Sequence, residues 1–212
     1  MFQMNGIINW LIDTLTIMPG LLVAISFHEL AHGYMAYILG DNTAKARGRL
    51  TLDPLAHIDP IGFLMLIFVG FGWAKPVPVD YRNLKRRKRD VILVSIAGSA
   101  MNFVLAAVFA LIMALTVKFG ASTMVSKVIF YAMQYNLVLG LFNMIPVPPL
   151  DGSKVLASLL PMKYEIKFYQ YERYMYLLLV LLLLTGGLGR ILTPALNWAL
   201  GILLRVAQTL VF

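Results

Sequence analysis

Residues 91–117 run for twenty-seven positions without one charged side chain. As an α-helix rising 1.5 Å per residue such a run is about 40 Å long, more than the ~30 Å hydrocarbon core of a bilayer, so it spans with tilt. Lipid offers the backbone no hydrogen-bond partner, so a spanning segment must satisfy its own amides, as a helix does. Immediately before the run stand Arg82, Lys85, Arg86, Arg87, Lys88 and Arg89, six basic residues in eight positions. Lys and Arg at the mouth of an apolar run hold that end on the cytoplasmic side. With 60% hydrophobic and 13% charged residues in 212, the composition excludes an ordinary soluble domain. The formal charge of +8 sits in clusters between apolar runs, with no recognisable nucleic-acid module beside it, so the bilayer rather than nucleic acid is the expected partner.

The other segments follow the same logic. Residues 6–18 are apolar apart from Asp13, and Pro19-Gly20 predicts a break after them; they either span or lie on the surface. Residues 20–39 are long enough to cross, and the basic Lys45, Arg47 and Arg49 follow. Residues 48–62, GRLTLDPLAHIDPIG, combine turn sites with a β-prone piece at 49–52. The apolar stretch 61–73 is about 20 Å as a helix, too short to cross, and fits a re-entrant or interfacial segment. Residues 118–127 form an external loop and 128–150 return to the cytoplasmic side, where Lys154, Lys163, Lys167 and Arg173 follow. Residues 174–189 and 191–212 predict a final hairpin with Arg190 at its outer turn and the carboxyl terminus inside. The expected fold is an all-α polytopic membrane protein of about five to six transmembrane helices. Residues 1–5 lack the basic region of a cleaved signal peptide, so insertion through the protein's own helices is expected.

Within residues 20–39 the sequence Ser26-Phe27-His28-Glu29-Leu30-Ala31-His32 reads HExxH. Residues four apart share a helix face, so His28 and His32 can bind one metal ion, and Glu29 beside them can serve as general base in peptide hydrolysis. Charges at bilayer depth are expensive and mark function. There is no cysteine, so a zinc ion would take nitrogen and oxygen ligands, as catalytic zinc does. A third protein ligand is needed. Among His57 and the carboxylates, Asp151 stands out at the end of an apolar run, behind the proline-rich Asn143-Met144-Ile145-Pro146-Val147-Pro148-Pro149-Leu150. The alternative use of Asp151 is to cap the helix that follows Gly152. A membrane metal transporter or a non-catalytic scaffold would also be compatible with polar residues in the membrane, though neither needs Glu29 beside His28.

Five blocks, FHELAHGYMA, GRLTLDPLAHIDPIG, GWAKPVPVD, AGSAMN and FNMIPVPPLDG, resemble in content and order the site-2 proteases, intramembrane zinc metalloproteases. The likeness covers about residues 19–161 and is strongest to the compact bacterial and archaeal branch without a PDZ domain. It departs at Ser99, where the family usually has Pro, and at Asp53, where Asn is common. The resemblance implies one Zn2+ per chain held by His28, His32 and Asp151, Glu29 as general base, and Asn143 holding substrate or the oxyanion. It also implies a small re-entrant β element from GRLTLDPL, and a single protease domain over 1–212 whose core, about 19–161, is followed by a helical hairpin at about 174–212. Substrates are then transmembrane proteins cut within or near the membrane, and the setting is a bacterial or archaeal cell membrane with basic loops cytoplasmic.

Overall fold

Uncharged runs become helices here, and the Gly, Pro and Asp clusters between them become turns. The computed structural model describes residues 2–69 and 72–211. In chain order, α1 is Phe2–Ile38, α2 Thr43–Ala46, α3 Pro54–His57 and α4 Pro60–Val69. A 3-10 turn at Tyr81–Asn83 precedes α5 (Arg87–Lys118), α6 (Thr123–Asn143), α7 (Asp151–Leu159), α8 (Met162–Gln170), α9 (Glu172–Leu184) and α10 (Gly187–Val211). Among the described residues four helices are long and apolar enough to cross a membrane: α1 over Ile8–Ile38, α5, α6 and α10. The chain is an all-α polytopic membrane protein.

The central helix is α5, which packs on α1, α6, α7 and α10. It does so through small residues: Ala106, Ala110 and Ala114 are buried, and Met133 of α6 and Ala207 of α10 close onto the last two. In lipid, where apolar contact alone does not drive helices together, such a small-residue stripe permits the close approach that dispersion needs.

The break expected at Pro19 does not form, and α1 runs straight through it. Pro19 gives up one backbone rung, a loss that neighbouring helices can offset at membrane depth. Beside it, Gly20 lies so near the Ala132 backbone of α6 that a Cβ would overlap it at 2.5 Å, which clamps the two helices at this point. Residues 6–18 thus belong to the helix that carries HExxH.

Beyond the end of α1, the Asp41 carboxylate accepts hydrogen bonds from the Asp80 N–H and the Asn83 amide, each at 2.8 Å. Glu165 of α8 meets Arg87 at 3.3 Å. These ties gather the basic residues around 45–49, 82–89 and 163–167 at one end of the bundle. At the other end Thr16 of α1 lies by Met124 at the start of α6.

The carboxyl-terminal region departs from expectation. α9 is thirteen residues, about 20 Å, too short to cross. The chain turns at 185–186, so Arg190 lies in the first turn of α10, near Leu188, which packs with Leu150 and Leu179. α10 then runs parallel to α5 and ends where the Lys118 ammonium donates to the Val211 carbonyl at 2.6 Å. The carboxyl-terminal end therefore sits with the α5–α6 connection, opposite the basic segments, and not with them. This and the merging of 6–18 into α1 reduce the five to six expected spans to four.

The β element expected at 49–52 is likewise absent, and no strand forms among the described residues. Pro54 opens α3 and the Asp53 carboxylate caps it, accepting from the Leu55 N–H at 3.0 Å, so the stretch turns into a helical loop. One antiparallel bridge, Ile58 with Ala74, ties α4 to the chain returning through 72–80. Residues 70 and 71 of the expected re-entrant segment lie outside the described residues. Phe68 of α4 stacks on Trp10 at 6.2 Å, so the excursion lies along α1.

Candidate metal centre and catalytic residues

His28 and His32 are one turn apart on α1, and Asp151 opens α7 at the end of the proline-rich turn. All three are buried. The Asp151 Oδ2 lies 3.3 Å from His28 Nε2 and 2.9 Å from His32 Nε2, and the two Nε2 atoms are 3.0 Å apart. Leu150, not Asp151, occupies the N-cap position of α7, so the carboxylate is directed to the histidines rather than to the helix start.

The hydrogen-bond chain behind the histidines fixes their tautomers. Asn136 Nδ2 donates to the Ala132 carbonyl at 2.8 Å, which leaves Asn136 Oδ1 to accept from Asn102 Nδ2 at 3.0 Å. Asn102 Nδ2 also donates to the Ala24 carbonyl at 2.9 Å, so its Oδ1 must face His28 Nδ1, 2.6 Å away. A carbonyl oxygen accepts, so the proton of His28 is on Nδ1. His32 Nδ1 likewise donates to the Val94 carbonyl at 2.7 Å. Both Nε2 atoms then present lone pairs toward each other and toward a carboxylate oxygen. Three acceptor atoms at such distances repel unless a cation lies between them. The donor set of two imidazoles and one carboxylate suits zinc, and its edges of 2.9–3.3 Å approach the ~3.3 Å expected for tetrahedral bonds of 2.0–2.1 Å. Among the described residues this is the group of His and carboxylates able to hold a metal.

The room for that group comes from Gly98 of α5. A Cβ there would meet His32 Nε2, and His28 Cε1 at 2.7 Å, so any larger residue would displace the rings.

Glu29 is partly buried on the adjoining face, and its Oε2 accepts from the Val77 N–H at 2.7 Å. Pro76 and Pro78 flank Val77 and carry no N–H, so this is the one amide donor of the tripeptide, and it is spent on Glu29. Lys154, one turn into α7, donates to Asp151 Oδ1 at 2.9 Å. Burial would lower its ammonium's pKa, but the Asp151 charge and the neighbouring Tyr81 outweigh this and raise it above the ordinary range, so Lys154 is charged at neutral pH.

Two further residues singled out from the sequence make other hydrogen bonds. His57 is buried in α3, its Nε2 bonded to the Thr51 carbonyl at 2.8 Å, and takes no part in the cluster. Asn143 closes α6 with its amide donating back to the Leu139 carbonyl at 3.1 Å. Conversely Gly98, Asn102, Asn136 and Val77, and the contact of Lys154 with Asp151, join the site only in the folded chain. Asn102 and Asn136 carried a usable signal, since each is an amide inside a charge-free apolar run.

The sequence profile of Peptidase family M50 matches residues 16–186, which contain every residue of this site. The chain belongs to peptidase family M50. A Bacillus subtilis relative of this M50 chain, named "Putative zinc metalloprotease YwhC", is 40% identical over 183 residues, 84% of each chain. "Putative zinc metalloprotease Rip2" of Mycolicibacterium smegmatis is 30% identical over 86% of this chain and 71% of its own length. "Putative zinc metalloprotease MJ0611" of Methanocaldococcus jannaschii is 30% identical over 61% and 63%. No solved structure gave a significant match. M50 membership and these names support a site-2 protease-like metalloprotease.

Proposed function

We propose that this chain is an intramembrane zinc endopeptidase, cutting transmembrane proteins within or near their membrane segment, with one zinc held by His28, His32 and Asp151. The observation that carries the reading is the convergence of three lone-pair atoms, buried between apolar helices, with Glu29 on the same helix. A zinc ion there supplies Lewis-acid chemistry, lowering the pKa of a water toward neutrality and polarising the scissile carbonyl.

The protein's own groups do the rest. Asn102 and the Val94 carbonyl hold both imidazoles with Nε2 free to bind. Val77 fixes one oxygen of Glu29, and the carboxylate accepts the water's proton and returns it to the departing amine. Asn143, at the entrance to the turn that leads to Asp151, releases Leu139 and donates to the developing oxyanion. The basic segments at one end of the bundle lie in the cytoplasm of a bacterial or archaeal cell, by the positive-inside rule.

The test is zinc content of detergent-purified protein together with cleavage of a panel of single-span membrane peptides. Wild type should carry one zinc per chain and cut. His28→Ala and Asp151→Ala should lose both properties, while Glu29→Gln keeps zinc and loses cleavage. Cleavage by Glu29→Gln, or zinc retained in Asp151→Ala, would overturn the corresponding assignment.

A further inference from the structure

The two oxygens of Asp151 have different partners. Oδ2 faces both histidine Nε2 atoms, whereas Oδ1 is held by the Lys154 ammonium at 2.9 Å, from one turn further along α7. Lys154 also lies beside Tyr81 and lines a cavity of about 430 Å3, with Pro148, Pro149 and Glu165 among the other walls. A carboxylate can bind zinc through one oxygen or both, and rotation about its terminal bond interchanges them at little cost unless something pins it. An ammonium on Oδ1 pins it.

We propose that Lys154 is a positioning residue that restricts Asp151 to one-oxygen coordination and so keeps a ligand position open. This rests on the metalloprotease reading above. Partners behind a metal ligand that orient it in this way contribute about tenfold to a hundredfold in metal affinity.

Cobalt is the probe, because its visible absorption is intense in four-coordinate sites and weak in five-coordinate ones. Purified full-length protein is loaded with Co2+, and its Zn2+ affinity is measured separately by chelator competition, for wild type, Lys154→Met and Lys154→Arg. The expected result is a four-coordinate spectrum in wild type and Lys154→Arg. Lys154→Met should show weaker bands and a zinc Kd raised about tenfold or more. Should Lys154→Met not be monodisperse, Lys154→Gln, whose shorter neutral amide leaves the charge absent, is judged by the same two readouts. A Lys154→Met or Lys154→Gln protein with the wild-type spectrum and Kd overturns the proposal and leaves the protease reading intact. A wild type that binds neither ion overturns the protease reading itself.

Discussion

At the scale of single residues, His28, Glu29 and His32 were legible because all three lie within five positions on one helix. Asp151 was legible because a carboxylate after a proline-rich turn is out of place at the end of an apolar run. What sequence could not show was the scaffold that makes these groups chemically useful. Asn102 is 74 residues from His28, and only packing of α5 against α1 brings its carbonyl oxygen to Nδ1. Replacing Asn102 by Leu removes that acceptor, frees the ring to rotate and strands the Asn136 carbonyl oxygen. Zinc affinity should fall about tenfold to a hundredfold in a chelator-competition titration, with helical content unchanged by circular dichroism. Affinity within twofold of wild type would show that the tautomer is set by something other than Asn102.

At the scale of elements, the apolar runs predicted α5 and α6 as spanning helices but also 174–189, where α9 is too short to cross, and they predicted the turns badly. The β-prone residues 49–52 give way to the local helix start at Asp53-Pro54, whereas a proline in a spanning helix depends on neighbours that no local pattern reveals. The junction after α1 is one such case. Asp41 has a fully buried side chain and accepts from Thr43, the Asp80 N–H and Asn83. Burial alone would raise its carboxyl, yet these hydrogen bonds outweigh it and leave the group below its ordinary 3.8. The folded state therefore holds fewer protons than the unfolded chain as pH falls below that value. Stability from the junction is fully present above about pH 4–5 and is lost as pH falls through the depressed folded value. Asp41→Asn should thus lower thermal stability at pH 7 by about 2 kcal/mol, and its deficit against wild type should narrow in melts taken below pH 4. A deficit that does not change with pH would mean that the carboxylate charge is not what stabilises the junction.

At the scale of the whole molecule, the charge pattern predicts which end faces the cytoplasm, and the contacts decide how often the chain crosses. A lone arginine between two leucine-rich stretches, Arg190 has the sequence pattern of a hairpin turn, although the turn lies at 185–186. Four crossings place both ends of the bundle's chain path, the start of α1 and the end of α10, opposite the basic segments. The absence of native cysteine makes this directly testable, since any single introduced thiol is the only one in the protein. Arg47→Cys, Lys85→Cys and Lys163→Cys occupy exposed positions at the basic end, while Ala121→Cys and Thr209→Cys are exposed at the other. In intact cells a membrane-impermeant maleimide should label the last two and spare the first three until the membrane is opened. The decisive position is Thr209. Five crossings with a terminal hairpin would protect it together with Lys85, whereas the contact of Val211 with Lys118 requires it to label with Ala121. Protection of Thr209 alone would mean that α10 crosses in the reverse sense, and the packing of Ala207 on Ala110 and Ala114 would then be wrong as well.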